Sequence, residues 1–65
     1  MLARVDKARA KQIATRFFEQ LNSDVFVKTV AFDDNVWIVT LSIGTDNQIR
    51  LIKIDANDGK ILGYE

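Results

Sequence analysis

Two hydrophobic periods divide the chain. Between Asp6 and Asn22 (DKARAKQIATRFFEQLN), Ala10, Ile13, Ala14, Phe17, Phe18 and Leu21 recur at three- and four-residue spacing. At about 100° per residue they gather in one arc, opposite Arg9, Gln12, Thr15, Arg16 and Glu19. The segment is rich in helix formers, lacks Gly and Pro, and begins with a residue suited to an N-cap, so it predicts one amphipathic helix. Val5, just ahead of Asp6, is placed to pack on Ala10 as a hydrophobic staple. Lys7, Arg9 and Lys11 oppose the helix dipole, at a cost of about a few tenths of a kcal/mol.

After Asn22-Ser23-Asp24 the period becomes two. Val25 to Asp33, Val36 to Ile43, Gln48 to Ala56 and Lys60 to Tyr64 read as strands separated by Asp33-Asp34-Asn35, Gly44-Thr45-Asp46-Asn47 and Asn57-Asp58-Gly59. In the last turn, Gly59 supplies the positive φ of a type I turn with a bulge. The expected fold is α+β: an N-terminal amphipathic helix on an antiparallel three- to four-stranded meander, α-β-β-β-β, in one domain over residues 1–65. Alternation places Trp37, Val39, Leu41 and Ile43 under the helix with Ile52, Ile54 and Ile61.

One helix covers one face of such a sheet. The other face then carries Val36, Ile38, Thr40, Ile49 and Leu51, with Lys53 near by, and is too apolar for a solvated surface. These five residues are the candidate interface. Its simplest partner is a second copy of the chain, giving a homodimer. Long side chains such as Lys28, Arg50 and Lys53 offer an alternative cover that leaves a monomer. A one-residue slip in the third strand would exchange the two faces.

Composition sharpens this picture mainly by exclusion. The 65 residues are 48% hydrophobic and 28% charged, with no Cys, His or Pro. A chain this short buries about 60% of its unfolded surface, and its core supplies about 3–5 kcal/mol. Disulfides are excluded, and the His and Cys ligand sets of zinc and haem are missing, so no cofactor is expected. Oligomerisation or tight packing remains as the stabilising device. No apolar run reaches membrane-spanning length, and the charged N-terminus lacks the apolar core of a signal peptide, so no membrane insertion and a cytoplasmic location are expected.

Nine basic and nine acidic side chains cancel overall, but not locally. Residues 1–22 hold five basic and two acidic groups (+3), and residues 23–65 hold four and seven (−3). On the helix, Arg9, Arg16 and Gln20 form a secondary basic surface, with Arg4 and Lys11 farther round. Such a surface suits phosphates or an acidic partner. The pI of 6.2 and the lack of an aromatic ladder on the open face weigh against nucleic acid.

Few residues invite catalysis or metal binding. Asp55-Ala56-Asn57-Asp58-Gly59 approaches a calcium loop, but Gly arrives at the fifth position instead of the sixth, which favours a bulged hairpin turn. Asp33 and Asp34 are adjacent carboxylates on a strand end, where neighbours diverge, and a solvated turn explains them. Ser23 and Ser42 have no His to activate them. No enzyme activity is expected. Trp37 alternates with core residues and belongs to the core or an interface. Tyr64 suits the core edge, and Gly63 permits close approach or a bulge.

The C-terminal run Ile52-Lys53-Ile54-Asp55-Ala56-Asn57-Asp58-Gly59-Lys60-Ile61-Leu62 resembles the end of the PepSY domain, where an apolar-x-apolar strand runs into Asp-Ala-x-x-Gly-x and two apolar residues. Ala10-x-x-x-Ala14 with Phe18, and Trp37-Ile38-Val39, are similar to that family's helix and middle strand. The resemblance covers nearly the whole chain. It implies a small binding module of the kind attached to secreted peptidases or membrane proteins, restraining peptidase activity and offering no catalytic residues. A weaker similarity, in Trp37-x-Val39-Thr40 and Asp58-Gly59-x-x-Leu62-Gly63-Tyr64, points to the gas vesicle accessory protein O. The expected function is therefore non-catalytic protein binding or regulation through the open sheet face. The alternatives are binding through the basic helix face or a gas-vesicle-type accessory role.

Overall fold

In the structure, a computed structural model that describes residues 4–65, Asp6 opens the helix as its sequence position predicts. Its backbone is extended, and Oδ1 accepts a hydrogen bond from the Arg9 N–H at 2.8 Å, satisfying one donor of the first turn. Helix α1 spans Lys7–Glu19 and buries Ala10, Ala14 and Phe18, with Ile13 and Phe17 partly covered. Two alanines at full burial bring the helix backbone close to the sheet. Val5 is buried in the same cluster as Ala10, as a staple requires, and its N–H donates to the Ala56 carbonyl at 2.9 Å.

The helix ends before Leu21, which is 89% exposed instead of completing the apolar arc. The cause is the crowding of donors at one carbonyl. Phe18 O accepts from Leu21 N at 3.2 Å and from both the backbone N and Nδ2 of Asn22 at 3.0 Å. The three-residue step at Leu21 tightens the last turn and swings its side chain off the buried stripe. No described helix is long and apolar enough to cross a membrane.

Four antiparallel strands follow in the order β1 (Val25–Asp33), β2 (Val36–Ile43), β3 (Gln48–Asp55) and β4 (Ile61–Tyr64). All four predicted strands form, the third and fourth each one residue shorter than the alternation suggests. Asp34 and Asn35 both take positive φ (51° and 63°), as a two-residue type I′ turn requires. Gly59, at φ 78°, closes the turn into β4, and its N–H donates to Asp55 O at 2.9 Å.

The β2–β3 register is unbroken from Val36↔Asp55 to Ile43↔Gln48. Both outer strands depart from it. A bulge interrupts β1 between Val27 and Thr29, and the β3–β4 pairing shifts between Lys53 and Ile54. Trp37↔Ile54 and Val39↔Ile52 fall on the helix side, so the slip that would reverse the faces does not occur. Val39, Leu41, Ile52 and Ile54 are fully buried; Ile43 joins them, and Trp37 and Ile61 pack at the margin.

The same register overturns one expectation. Arg50 pairs with Leu41 and so belongs to the helix side. Its guanidinium carbon lies 5.8 Å from the centre of the Phe18 ring, and Nε donates to Glu65 O at 2.7 Å. It is unavailable to cover the open face. Tyr64 caps the core edge as expected, its ring 5.0 Å from that of Phe17.

Candidate interface on the open sheet face

Because α1 packs across β1, β2 and β3 from one side only, the opposite face stands bare. Cross-strand pairs build it in rows: Asp33, Val36 and Asp55; Ala31, Ile38, Lys53 and Gly63; Thr29, Thr40 and Leu51; Phe26, Ser42 and Ile49. Glu65 extends the third row, exchanging two backbone hydrogen bonds with Leu51. The register thus gathers Val36, Ile38, Thr40, Ile49 and Leu51 on one surface. Val36, Ile38, Thr40 and Leu51 are half-buried, held by their strand neighbours, and Ile49 is 58% exposed.

Phe26, 66% exposed, was not evident from the sequence as part of this face. The β1 bulge breaks the alternation that would assign it, and only its pairing with Ser42 does so. Between Phe26 and Ile49, Ser42 is 5% exposed although it lies on the open side. Its hydroxyl donates to Asn47 Oδ1 at 3.2 Å, so its donor is engaged within the fold.

At the β4 margin, Leu51, Lys53, Leu62, Gly63, Tyr64 and Glu65 line a groove of about 240 Å³. A Cβ at Gly63 would meet nothing within 4 Å, so no close approach demands glycine there; the register shift falls next to it, at Leu62, which is left unpaired between Gly63 and Ile61. The charged residues of the face are Asp33, Asp55 and Glu65 with Lys53, and Lys28 is the extra residue of the β1 bulge beside Thr29.

Arg9, Arg16 and Gln20 are all exposed on the outer side of α1. Arg9 Nη1 donates to Gln12 Oε1 at 2.7 Å, and Arg16 lies two turns, about 10.5 Å, farther along the axis. They form a basic ridge without aromatic neighbours for stacking, since Phe17 and Phe18 turn toward the sheet.

The carboxylates that resembled a calcium loop serve the turn. Asp55 Oδ1 accepts from Asn57 N at 2.7 Å and Asp58 Oδ1 from Lys60 N at 2.9 Å. Asp33 closes a strand, whereas Asp34 occupies the turn beyond it. Among the described residues, no three His, Cys, Asp or Glu side chains gather as a metal ion would require.

Residues 4–65 match the family model of the PepSY domain, described as the peptidase propeptide and YPEB domain, and the chain belongs to that family. No significant match occurs among curated proteins or among solved structures.

Proposed function

From membership of the PepSY family and the half-covered sheet, we propose that this domain is a non-catalytic regulatory module that binds a protein partner through Val36, Ile38, Thr40, Ile49 and Leu51. The bare face carries the reading: an apolar patch on a domain of this size marks a site of association. The family's description points to a peptidase as the partner class. The chain's chemistry is consistent with binding without catalysis. It has no His or Cys, the Ser42 hydroxyl is committed to Asn47, and Asp55 and Asp58 cap their own turn.

Ile38→Glu and Leu51→Glu test the proposal, because both side chains are half-exposed and their replacement spares the core. We expect unchanged melting curves and loss of partner binding, and variants that still bind would overturn the reading. Sedimentation at roughly tens of micromolar distinguishes a second copy of the chain as the occupant. A second reading rests on the exposed ridge of Arg9, Arg16 and Gln20, which suits an acidic protein or nucleic acid. Arg9→Glu with Arg16→Glu would abolish that binding and leave the open face unaffected.

A further inference from the structure

We infer that the connection between α1 and β1 is a processing site, where one cut at the Leu21–Asn22 bond by an endopeptidase with an apolar specificity pocket dismantles the domain. This is independent of what binds the open face.

An endopeptidase takes several residues on each side of the scissile bond in extended form, so bonds within a helix or a paired strand resist until that element opens. Among the described residues, the large hydrophobic side chains that stand exposed are Leu21, Phe26, Phe32, Ile49, Leu62 and Tyr64, and all but Leu21 lie in strands. Leu21 is also the most exposed of them, and Gln20, Ser23 and Asp24 around it are exposed as well. The turns at 34–35, 44–47 and 56–60 each close a hairpin, whose two strands must part before the turn can straighten. Segment 20–24 joins a helix to a strand, and no ladder spans it.

What holds this segment is local. Leu21 N, Asn22 N and Asn22 Nδ2 all donate to the Phe18 carbonyl, and Asp24 O accepts from Gly44 N at 2.8 Å. Fraying of the last helical turn releases the three bonds to Phe18 together and presents Leu21 to the enzyme.

The position of the bond decides the consequence. Hydrolysis adds water across the Leu21–Asn22 peptide bond, leaving a carboxylate on Leu21 and an ammonium group on Asn22. The helical piece keeps Val5, Ala10, Ala14 and Phe18 of the core, and the sheet piece keeps Val39, Leu41, Ile52 and Ile54. Neither has a core of its own: a helix of 13 residues is marginal in water, and a single sheet needs a second layer to bury its apolar face. The new carboxylate also lies just past the C-terminal end of α1, where the helix dipole disfavours it. Two chains held by contacts alone then separate on dilution, and the module is switched off irreversibly.

Digestion with limiting chymotrypsin, followed by mass spectrometry, tests the site. The first products should end at Leu21 and begin at Asn22, with cleavage after Phe26 about tenfold slower. Leu21→Ser should slow the first cut about tenfold at an unchanged melting midpoint, and Asn22→Ala, which removes one donor from the Phe18 carbonyl, should speed it about threefold. The nicked product should lose the near-ultraviolet circular dichroism of Trp37 on dilution to about 1 μM. A first cut within a strand or a hairpin turn, or Leu21→Ser digested as fast as the parent, would overturn the assignment of the site. If the two pieces still sediment as one folded body at about 1 μM, the fold tolerates the cut and the switch is refuted.

Discussion

The indole N–H of Trp37 donates to the backbone carbonyl of Val5 at 2.6 Å, joining residues 32 positions apart. Val5 N–H is meanwhile bound to Ala56, so the residue ahead of the helix is tied to β2 and to the turn after β3. Replacing Trp37 by Phe keeps an aromatic ring against Phe32, whose centre lies 4.6 Å away, but leaves the carbonyl unpaired. The expected loss is about 1–3 kcal/mol, read as a lower urea midpoint at unchanged slope.

Leu41 is fully buried between α1 and the sheet. Leu41→Ala should cost about 2–5 kcal/mol, comparable to the whole stability expected for a core of this size. The variant should therefore lose its near-ultraviolet circular dichroism at 25 °C, whereas Leu41→Met, which conserves volume, should retain it.

Two glycines should respond in opposite directions. At Gly59 a Cβ would lie 3.3 Å from Ile13 Cδ1 and 3.5 Å from Val5 Cγ2, on a backbone at φ 78°. Gly59→Ala should destabilise by about 1–2 kcal/mol. Gly63 sits in β4 with open space beside it, and Gly63→Ala should stabilise by about 0.5–1 kcal/mol. Parallel thermal melts decide both.

The β1–β2 turn holds two non-glycine residues at positive φ. Asp34→Asn with Asn35→Gly installs the pair that a type I′ turn favours most and should raise stability by about 0.5–1 kcal/mol. For a domain of this size that appears as a rise in melting midpoint of about 2–8 °C, checked by calorimetry.

Much of this architecture was legible in the residues. Asp6 marked the helix start because a short acceptor there meets the Arg9 N–H, and alternation in β2 and β3 named the buried face because their register runs without interruption. The misjudged positions lie where a local hydrogen bond or a bulge breaks the period. Leu21 fits the helical arc on paper, but Asn22 competes for the Phe18 carbonyl and tightens the turn. Arg50 looked like cover for the open face because its long stem suits either side; only its pairing with Leu41 assigns it. Phe26 could not be placed without knowing that β1 carries an extra residue near Lys28. That Val36, Ile38, Thr40, Ile49 and Leu51 share one face was readable for the same reason as the core: they are the other half of the same alternation.

The bulge in β1 and the shift at β4 mean that both lateral borders of the sheet are irregular, while the straight ladder between β2 and β3 is enclosed within it. An incoming strand finds no regular template on either flank, and the β1 flank also carries a lysine. Growth by ribbon extension, the route to fibrils, is thus obstructed in the directions where a sheet propagates.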